Sequence, residues 1–401
     1  MNGCADFSAQ SPQTEVVFVI DRVMHYHLDM LRTVEKGLTA RGLSFAVLSA
    51  LDAEGAVGRV ATKTKAVADH RYFRLSERPV GRFMLRYQHG LVSTLRAMQS
   101  RVIVSNCHSG TLSEWLALRW ARRSGVRTVA WQCGYEYNPG RIKRVALSRF
   151  VPLFDFHLCY HSNAKAYAIE HGAREDQTLV MHNTIDESKI VPMDREAARA
   201  ELEQRHPQLA GKRIVLYVGA VLEEKRLEQI FDALPLTGRD DLFFVLVGDG
   251  PHLAHVKERY AQRQDWLAAG RVVEGVGVYF DAADVFVLPG TGGLAINEAM
   301  AHRLPVISGY ADGSADDLVQ DGVTGYRLRS GEPAALAALI ERVLSSPQEA
   351  ARLGAAGEAR IRGPLSFEAF TGRVVETLAA QAALAGRRDG RRSASGLTGS
   401  A

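Results

Sequence analysis

Short apolar runs alternate with longer segments of helical periodicity along most of the chain. In the first half the apolar runs cover residues 16–20, 43–48, 102–105, 128–131 and 156–160. Between several of them lie segments with apolar residues at helical spacing, residues 28–41, 111–123 and 163–171. Strands that alternate with helices form parallel sheets covered on both faces, so this half is predicted to be an α/β domain.

The pattern restarts after residue 191. A helix rich in Ala, Glu and Arg is predicted first, and strand-like runs then follow at residues 213–218, 243–247, 272–274, 285–288 and 305–308. We therefore predict two Rossmann-like parallel-sheet domains, over residues 1–191 and 192–364. A helix over 365–385 is expected to pack back on the first domain. Residues 386–401 contain few apolar side chains and are expected to be disordered.

Composition narrows the class of protein. The chain has 401 residues, of which 46% are hydrophobic and 23% charged, as is typical of a protein with a large buried core. No apolar stretch approaches the roughly 20 residues that span a bilayer, and residues 1–15 lack a secretory pattern, so a cytoplasmic protein is expected. Its four cysteines are too few for a disulfide framework and include no Cys-x-x-Cys pair typical of a metal site.

The net charge of +4 conceals two halves of opposite sign, because residues 1–160 carry +10 and the remainder −6. Within the basic half, residues 71–87 interleave arginines with apolar and aromatic side chains. Such a segment suits the anionic inner face of a membrane, a nucleic acid, or a solvated face of the fold. Since no recognised nucleic-acid module accompanies it, nucleic acid is not expected as a partner, and the other two interpretations stay open.

Two glycine-containing loops follow strands of the second half. Gly219 ends one strand, and the adjacent cations Lys225 and Arg226 precede the next helix. Gly250 lies in a second loop, directly after the next apolar strand. Ligands bind beyond the carboxyl ends of parallel strands, where glycine allows close approach and cations can neutralise a diphosphate. Tight turns with solvated charges are the alternative interpretation.

The third loop is the most informative. Residues 289–293 are rich in glycine, and a helix is predicted to begin near Gly293. The first turn of a helix presents free N–H groups and a positive dipole end, which attract anions. Glu298 lies about 7–8 Å further along the axis and could accept hydrogen bonds from a ribose whose diphosphate sits at the helix start. In the alternative interpretation, the glycines of this loop serve packing and Glu298 lies on a solvated face.

Taken in order, these three loops, with residues 182–186 and 312–326, resemble the C-terminal domain of family 4 retaining glycosyltransferases, a group 1 family with the GT-B fold. The likeness is strong over residues 180–330 and weaker before them. It implies two domains that face a central cleft. It also implies transfer of a sugar from a nucleoside diphosphate to an acceptor hydroxyl, with retention of the anomeric configuration.

The resemblance also implies roles for individual residues. Lys225 would contact the donor diphosphate with help from Arg226, and Glu298 would bind the ribose as the second Glu of the family's Glu-x7-Glu motif. The other implied donor contacts are made by backbone at Gly292, Gly293 and Leu294 and by the base-binding segment near Gly275 and Val276.

Two positions depart from the family pattern. Gly290 replaces the first Glu of the motif, and Ala220 replaces an Arg that commonly follows the glycine of the first loop. We expect Gly290 to leave a space the size of a Glu side chain. Such a space favours a donor sugar modified at the hydroxyls that the Glu would contact, or one held there by another group or by water.

The first domain is expected to form the acceptor side of the cleft. His108 follows the strand 102–105 and corresponds to a family histidine that faces the reacting sugar, so it is a candidate catalytic residue. Asp21, His25 and His27 follow the first strand and are candidates on the acceptor side. A structural or solvated role is the alternative for each. The expected acceptor is a lipid-linked saccharide or a growing bacterial polysaccharide.

The prediction is therefore a glycosyltransferase that needs no metal and no cofactor. No Asp-x-Asp pair occurs in the expected cleft, so Lys225 and the helix start would stabilise the leaving diphosphate. A sugar-nucleotide epimerase or a phosphorylase of the same fold is one alternative, and a non-catalytic binding subunit is another. A dehydrogenase is disfavoured because the first strand is not followed by Gly-x-Gly-x-x-Gly.

Overall fold

The computed structural model describes residues 13–24, 26–50, 65–80, 83–134, 140–272, 274–309 and 313–394. Side chains are described in these ranges except at Phe83 and residues 386–394. The candidate His25, Arg82 of the basic segment, and residues 395–401 of the expected tail lie outside the described residues.

Eight strands of the first half form one sheet in the order β4-β3-β2-β1-β5-β6-β7-β8. The strands are β1 (Val16–Val19), β2 (Phe45–Ala50), β3 (Asp69–Val80), β4 (Phe83–His89), β5 (Val102–Ser105), β6 (Arg127–Gln132), β7 (Phe156–Cys159) and β8 (Thr178–Val180). All neighbours are parallel except β3 and β4, which form an antiparallel hairpin at one edge.

Helices cover both faces of this first sheet. They are α1 (His27–Thr39), α2 (Leu91–Ala97), α3 (Leu112–Ser124), α4 (Arg141–Phe150) and α5 (Ser162–Glu170). Successive residues of the central strand β1 enter different cores, with Val16 and Phe18 in one and Val17 and Val19 in the other. A parallel strand buried on both faces is continuously apolar, which explains why the sequence pattern located it.

The second half contains a six-stranded sheet in the order β11-β10-β9-β12-β13-β14. Its strands are β9 (Arg213–Val218), β10 (Leu242–Val247), β11 (Trp266–Gly270), β12 (Val285–Leu288), β13 (Val306–Gly309) and β14 (Tyr326–Leu328), all parallel. Two separate parallel-dominated sheets confirm the predicted α/β architecture. The strand predicted at residues 272–274 is wrong, because the edge strand is Trp266–Gly270 and neither Val272 nor Glu274 belongs to a strand.

The helices of the second half pack on this sheet, apart from the last. They are α6 (Arg195–Arg205), α7 (Glu228–Ala233), α8 (Leu253–Arg259), α9 (Gly277–Ala282), α10 (Ala295–Ala301), α11 (Ser314–Leu318), α12 (Pro333–Leu344), α13 (Pro347–Arg362) and α14 (Phe367–Ala394). Among the described residues, no helix combines the length and apolar character needed to cross a membrane.

Helix α14 returns to the first sheet. Phe370 and Val374 join the core cluster that contains β1, and the ring of Phe370 lies 6.3 Å from that of Trp131. The Arg127 guanidinium donates to the Gln381 amide oxygen at 2.7 Å. The backbone stays helical to Ala394, so residues 386–394 do not form the disordered tail that composition predicted.

The hairpin β3–β4 contains most of the basic segment 71–87, to which the sequence assigned no element. Two of its arginines are paired, Arg71 with Asp69 at 2.8 Å and Arg86 with Glu77 at 2.9 Å. Arg74 and Arg78 are exposed and form no ion pair with an acidic side chain in the described ranges. Hairpin pairing thus leaves fewer unneutralised cations than the sequence indicated.

Candidate active site

The loops after β9 and β10 pack backbone against backbone. A Cβ built at Gly248 would lie 1.9 Å from the carbonyl oxygen of Gly219, and one at Gly250 would lie 2.3 Å from that of Val221. Val221 also donates its N–H to the Asp249 carbonyl at 3.0 Å. Glycine at positions 248 and 250 is therefore required by the neighbouring loop, whatever ligand lies beyond it.

Lys225 connects the first loop to the third. It ends a one-turn helix, Glu223–Lys225, and its side chain is buried. The Nζ atom donates to the Thr291 carbonyl and hydroxyl at 2.9 Å each, and to the Gly292 carbonyl at 3.0 Å. The next residue, Arg226, has a left-handed φ of 54° and an exposed side chain. Lys225 thus places its charge at the glycine-rich loop, while Arg226 points toward solvent.

Gly290 does not leave the space that the sequence predicted. A Cβ there would lie 2.0 Å from the Glu224 carbonyl oxygen and 2.5 Å from the Lys225 Cα and carbonyl carbon. The adjacent Thr291 N–H donates to the same Glu224 carbonyl at 3.0 Å. The loop lies so close to the Lys225 turn that a side chain at 290 has no room. The inference of a vacant Glu-sized space, and with it the argument for a modified donor sugar, is therefore wrong.

Helix α10 begins at Ala295, two residues later than predicted, with Leu294 as its N-terminal flanking residue. Gly293 is exposed, and its carbonyl accepts the Ile296 N–H at 3.1 Å. Glu298 is half-buried in the following turn, and burial raises the pKa of its carboxyl group while the nearby His302 lowers it. Within the described chain, no hydrogen bond engages the Glu298 carboxylate.

Two neighbours of Glu298 were not found from the sequence. Asn297 is buried and donates to the Thr184 hydroxyl at 3.0 Å, which joins α10 to the segment between the domains. His302 lies one turn beyond Glu298, and its Nδ1 is 2.6 Å from a carboxylate oxygen of the buried Asp281. His302 lies four residues after Glu298, so the two share one face of the helix. Its partner Asp281 is 21 residues away in the sequence, so no local pattern indicated the pair.

Val276, the candidate for base contact, precedes helix α9 and is half-buried. A Cβ at the following Gly277 would lie 3.1 Å from the His302 ring. Gly292, Gly293, Leu294 and Glu298 therefore share one loop and the helix that follows it. Lys225 reaches this loop from the turn after β9, and His302 lies close to the loop at Val276.

The candidates of the first domain lie around a buried polar cluster. Asp21 follows β1 and is buried, where it accepts a hydrogen bond from the Gln88 side chain at 2.7 Å. The burial of Asp21 within the domain favours the structural role that the sequence left open for it over a role on the acceptor side. His27 starts α1, and its Nδ1 accepts the Met24 N–H at 3.2 Å.

His108 follows β5 as predicted and is half-buried. Its backbone N–H donates to a carboxylate oxygen of Glu114 at 3.2 Å. Glu114 is fully buried, and this burial, together with the nearby Asp21 charge, raises its pKa to about 8 despite hydrogen bonds from Ser105 and His108. A buried acid that the sequence analysis missed therefore holds the loop of His108.

The domains meet where two of the recognised motifs approach each other. His182 Nδ1 lies 3.2 Å from a carboxylate oxygen of Asp317, which also accepts the Ser162 N–H at 2.8 Å. Asn163 donates to Asp316 at 2.9 Å. Helix α11 thus contacts the start of α5, and this contact joins the two domains.

With this geometry established, comparison with known proteins gives a consistent result. The family model described as "Glycosyl transferases group 1" matches residues 198–360. The chain is 32% identical over 165 residues to alpha-D-kanosaminyltransferase of Streptomyces kanamyceticus, covering 39% of this chain and 42% of that protein. It is 33% identical over 147 residues to GDP-mannose-dependent alpha-mannosyltransferase of Corynebacterium glutamicum, covering 36% and 33%.

The chain thus spans between a third and a half of the length of these curated relatives. The crystal structure of Anabaena HepE in complex with UDP superposes with a TM-score of 0.72 and 19% identity, covering 92% of this chain and all of that one. That likeness extends over both domains and concerns the fold. Residues 198–360 are therefore similar in sequence to group 1 glycosyl transferases, and the chain has the GT-B fold that the motifs of its loops predicted.

Proposed function

We propose that this protein transfers a sugar from a nucleoside diphosphate donor to an acceptor hydroxyl, with retention and without a metal or cofactor in the cleft. The observation that carries the proposal is the contact of Lys225 Nζ with Thr291 and Gly292, immediately before the helix that contains Glu298. The family match of residues 198–360 supports it, as do relatives whose names describe glycosyl transfer, one of them GDP-mannose-dependent.

Charge explains how the donor would be held. Each Lys225 contact is to an oxygen acceptor, so a phosphate at the glycine-rich loop would be a stronger partner for the same ammonium group. The positive end of the dipole of α10, which begins at Ala295, adds positive potential near this loop. As the bond to the sugar breaks, negative charge grows on the diphosphate, and preorganised groups of this kind stabilise it.

Glu298 suits the ribose for a different reason. Its carboxylate is half-buried, yet no hydrogen bond to the described residues engages it. A buried carboxylate without partners is costly, so two neighbouring hydroxyls of a ribose would be favourable ligands. On the opposite side, His108 is held by Glu114 through its backbone and is proposed to face the transferred sugar.

The test combines binding, turnover and stereochemistry. A panel of nucleoside diphosphate sugars is screened for protection against thermal unfolding, and the best donor is incubated with candidate glycan acceptors. Lys225→Ala is expected to reduce transition-state stabilisation by about 2.7–4 kcal/mol and so to lower the turnover rate. Anomeric coupling constants of the product report retention. Interconversion of the donor without acceptor would establish the epimerase, and donor binding with no turnover would establish the binding subunit.

We further propose that the acceptor is a lipid-linked saccharide or growing polysaccharide reached at an anionic membrane surface. Besides Arg74 and Arg78, the first domain exposes apolar side chains on adjacent elements: Met84, Leu112, Leu116, Ile142 and Val145. Helix α4 also contains Arg141, Lys143, Arg144 and Arg149. Apolar side chains among cations are the pattern that binds an anionic interface.

Liposome binding separates this surface from a merely solvated face. Vesicles with anionic lipid should bind the protein more weakly as salt rises, because exposed charges are screened within about 8–10 Å at moderate salt. The double variant Ile142→Asn/Val145→Asn should bind less at every salt concentration. The double variant Arg74→Gln/Arg78→Gln should show a weaker salt dependence than the wild type, because the cations of α4 remain. Vesicle binding that is unchanged in both double variants would show that neither group of side chains contacts the membrane.

A further inference from the structure

Two histidines and a glutamate converge beside the loops that follow β9 and β10. Glu228 starts α7, His252 flanks the first residue of α8, and His255 lies one turn into α8. One ligand atom from each residue lies within 4.8 Å of the other two. Glu228 and His252 are half-buried and His255 is exposed, so the cluster opens to solvent on one side.

The pair of Glu228 and His252 is the tighter part of the cluster. His252 Nε2 lies 2.5 Å from Glu228 Oε1, and the two imidazole rings are 5.0 Å apart at an interplanar angle of 31°. The pair therefore places a carboxylate oxygen against an imidazole nitrogen, with the second imidazole beside them.

These distances are close to those of a metal centre. Zinc binds histidine nitrogen and carboxylate oxygen at about 2.0–2.2 Å in a tetrahedron, which places neighbouring ligand atoms about 3.3 Å apart. The ligand atoms of the three residues all lie within 4.8 Å of one another, and the exposed His255 side chain is the one free to move and shorten these distances. The tight Glu228–His252 contact would open slightly, because a cation would replace the shared proton.

We propose that Glu228, His252 and His255 bind one divalent transition metal ion, of which zinc is the best-fitting class. Imidazole and carboxylate ligands suit zinc, whereas magnesium and calcium prefer oxygen ligands alone. Three protein ligands leave a fourth position, which a water molecule fills on the solvent side. The site lies on the donor domain, and it is independent of the proposed sugar transfer.

The consequence of such an ion is structural. Glu228 and His252 belong to helices that directly follow the interlocked loops, and the His252 N–H donates to the Val221 carbonyl at 3.2 Å. An ion at this position would cross-link α7 to α8 and hold both loops in register. It would stabilise the donor domain without entering the reaction.

The experiment uses the full chain without a purification tag. Co²⁺ is titrated in, because a site of this kind gives visible absorption bands of tetrahedral or five-coordinate cobalt, and Zn²⁺ should then displace it at one equivalent. His252→Gln, His255→Gln and Glu228→Gln should each weaken Co²⁺ binding at least tenfold, since even outer partners of a metal contribute about 10–100-fold. His89→Gln, at an exposed histidine outside the cluster, is the matched control.

Thermal unfolding gives a second readout. Zinc should raise the melting temperature of the wild type and of His89→Gln by several degrees, because an ion bound only by the folded state stabilises it by mass action. The three cluster variants should fold but gain nothing from zinc. The proposal would be overturned if Co²⁺ gave no such absorption bands, or if the wild type and the cluster variants bound Co²⁺ with equal affinity. Failed sugar transfer with intact metal binding would leave it standing.

Discussion

Replacement of Gly290 by alanine tests whether the glycine-rich loop and the Lys225 turn form one packed unit. The added Cβ would lie 2.0 Å from the Glu224 carbonyl oxygen. An ordinary carbon–oxygen contact is about 3.3–3.6 Å, so the two segments must separate by about 1 Å or more. Both sides of this contact are backbone, and neither can turn away as a flexible side chain would.

The cost follows from what the separation breaks. It strains the Thr291–Glu224 backbone hydrogen bond and the three contacts of Lys225 Nζ. Overpacking costs about 1–3 kcal/mol, and a lost hydrogen bond adds about 1 kcal/mol. At roughly 2–4 °C per kcal/mol for a domain of this size, the melting temperature should fall by roughly 5–15 °C.

Gly293→Ala is the matched control in the same loop, since a Cβ there meets no atom within 4 Å. It should change stability by less than about 0.5 kcal/mol. Differential scanning calorimetry measures stability, and titration with UDP and GDP measures binding. Gly290→Ala should also bind nucleotide more weakly, because Lys225 moves. If the Gly290→Ala protein melts as Gly293→Ala does and binds nucleotide as the wild type does, the close packing of this loop is refuted.

Three further predictions concern buried charges. Glu298→Gln should weaken binding of a nucleoside diphosphate by about 1.5–3 kcal/mol, the value of a hydrogen bond to a charged group; an equal loss for the 2′,3′-dideoxy nucleotide would contradict a ribose contact. His302→Gln should move the midpoint of nucleotide binding to higher pH, because the pKa of Glu298 rises without the lowering effect of His302; an unchanged midpoint would show that the two are uncoupled. The pKa of Glu114 is raised to about 8, so between about pH 4.5 and 8 the folded state keeps a proton that the unfolded state releases. The stability of the wild type should therefore fall as pH rises through this range, by up to about 1.4 kcal/mol per pH unit. Calorimetry of Glu114→Gln should lack this slope, and a slope equal to that of the wild type would assign it to other groups.

The sequence by itself determined the architecture and the position of the glycine-containing loops. Strands buried on both faces are continuously apolar, so β1, β5, β9 and β12 were located within about two residues. The loops around Lys225 and Gly292 were found because each follows such a strand, and glycine and cations stand out in a short window. These features depend on neighbours along the chain, which a sequence displays directly.

The tertiary structure decided what depended on distant segments. Gly290 suggested a vacant space, but the backbone of residues 224 and 225 fills it. Asp21 was a candidate on the acceptor side, and its burial against Gln88 of the edge hairpin is visible only in the structure. The pairing of His302 with Asp281, like the meeting of Glu228 with the two histidines of α8, joins different helices. Periodicity shows which face of a helix is buried, but the partner across that face depends on how the elements pack together.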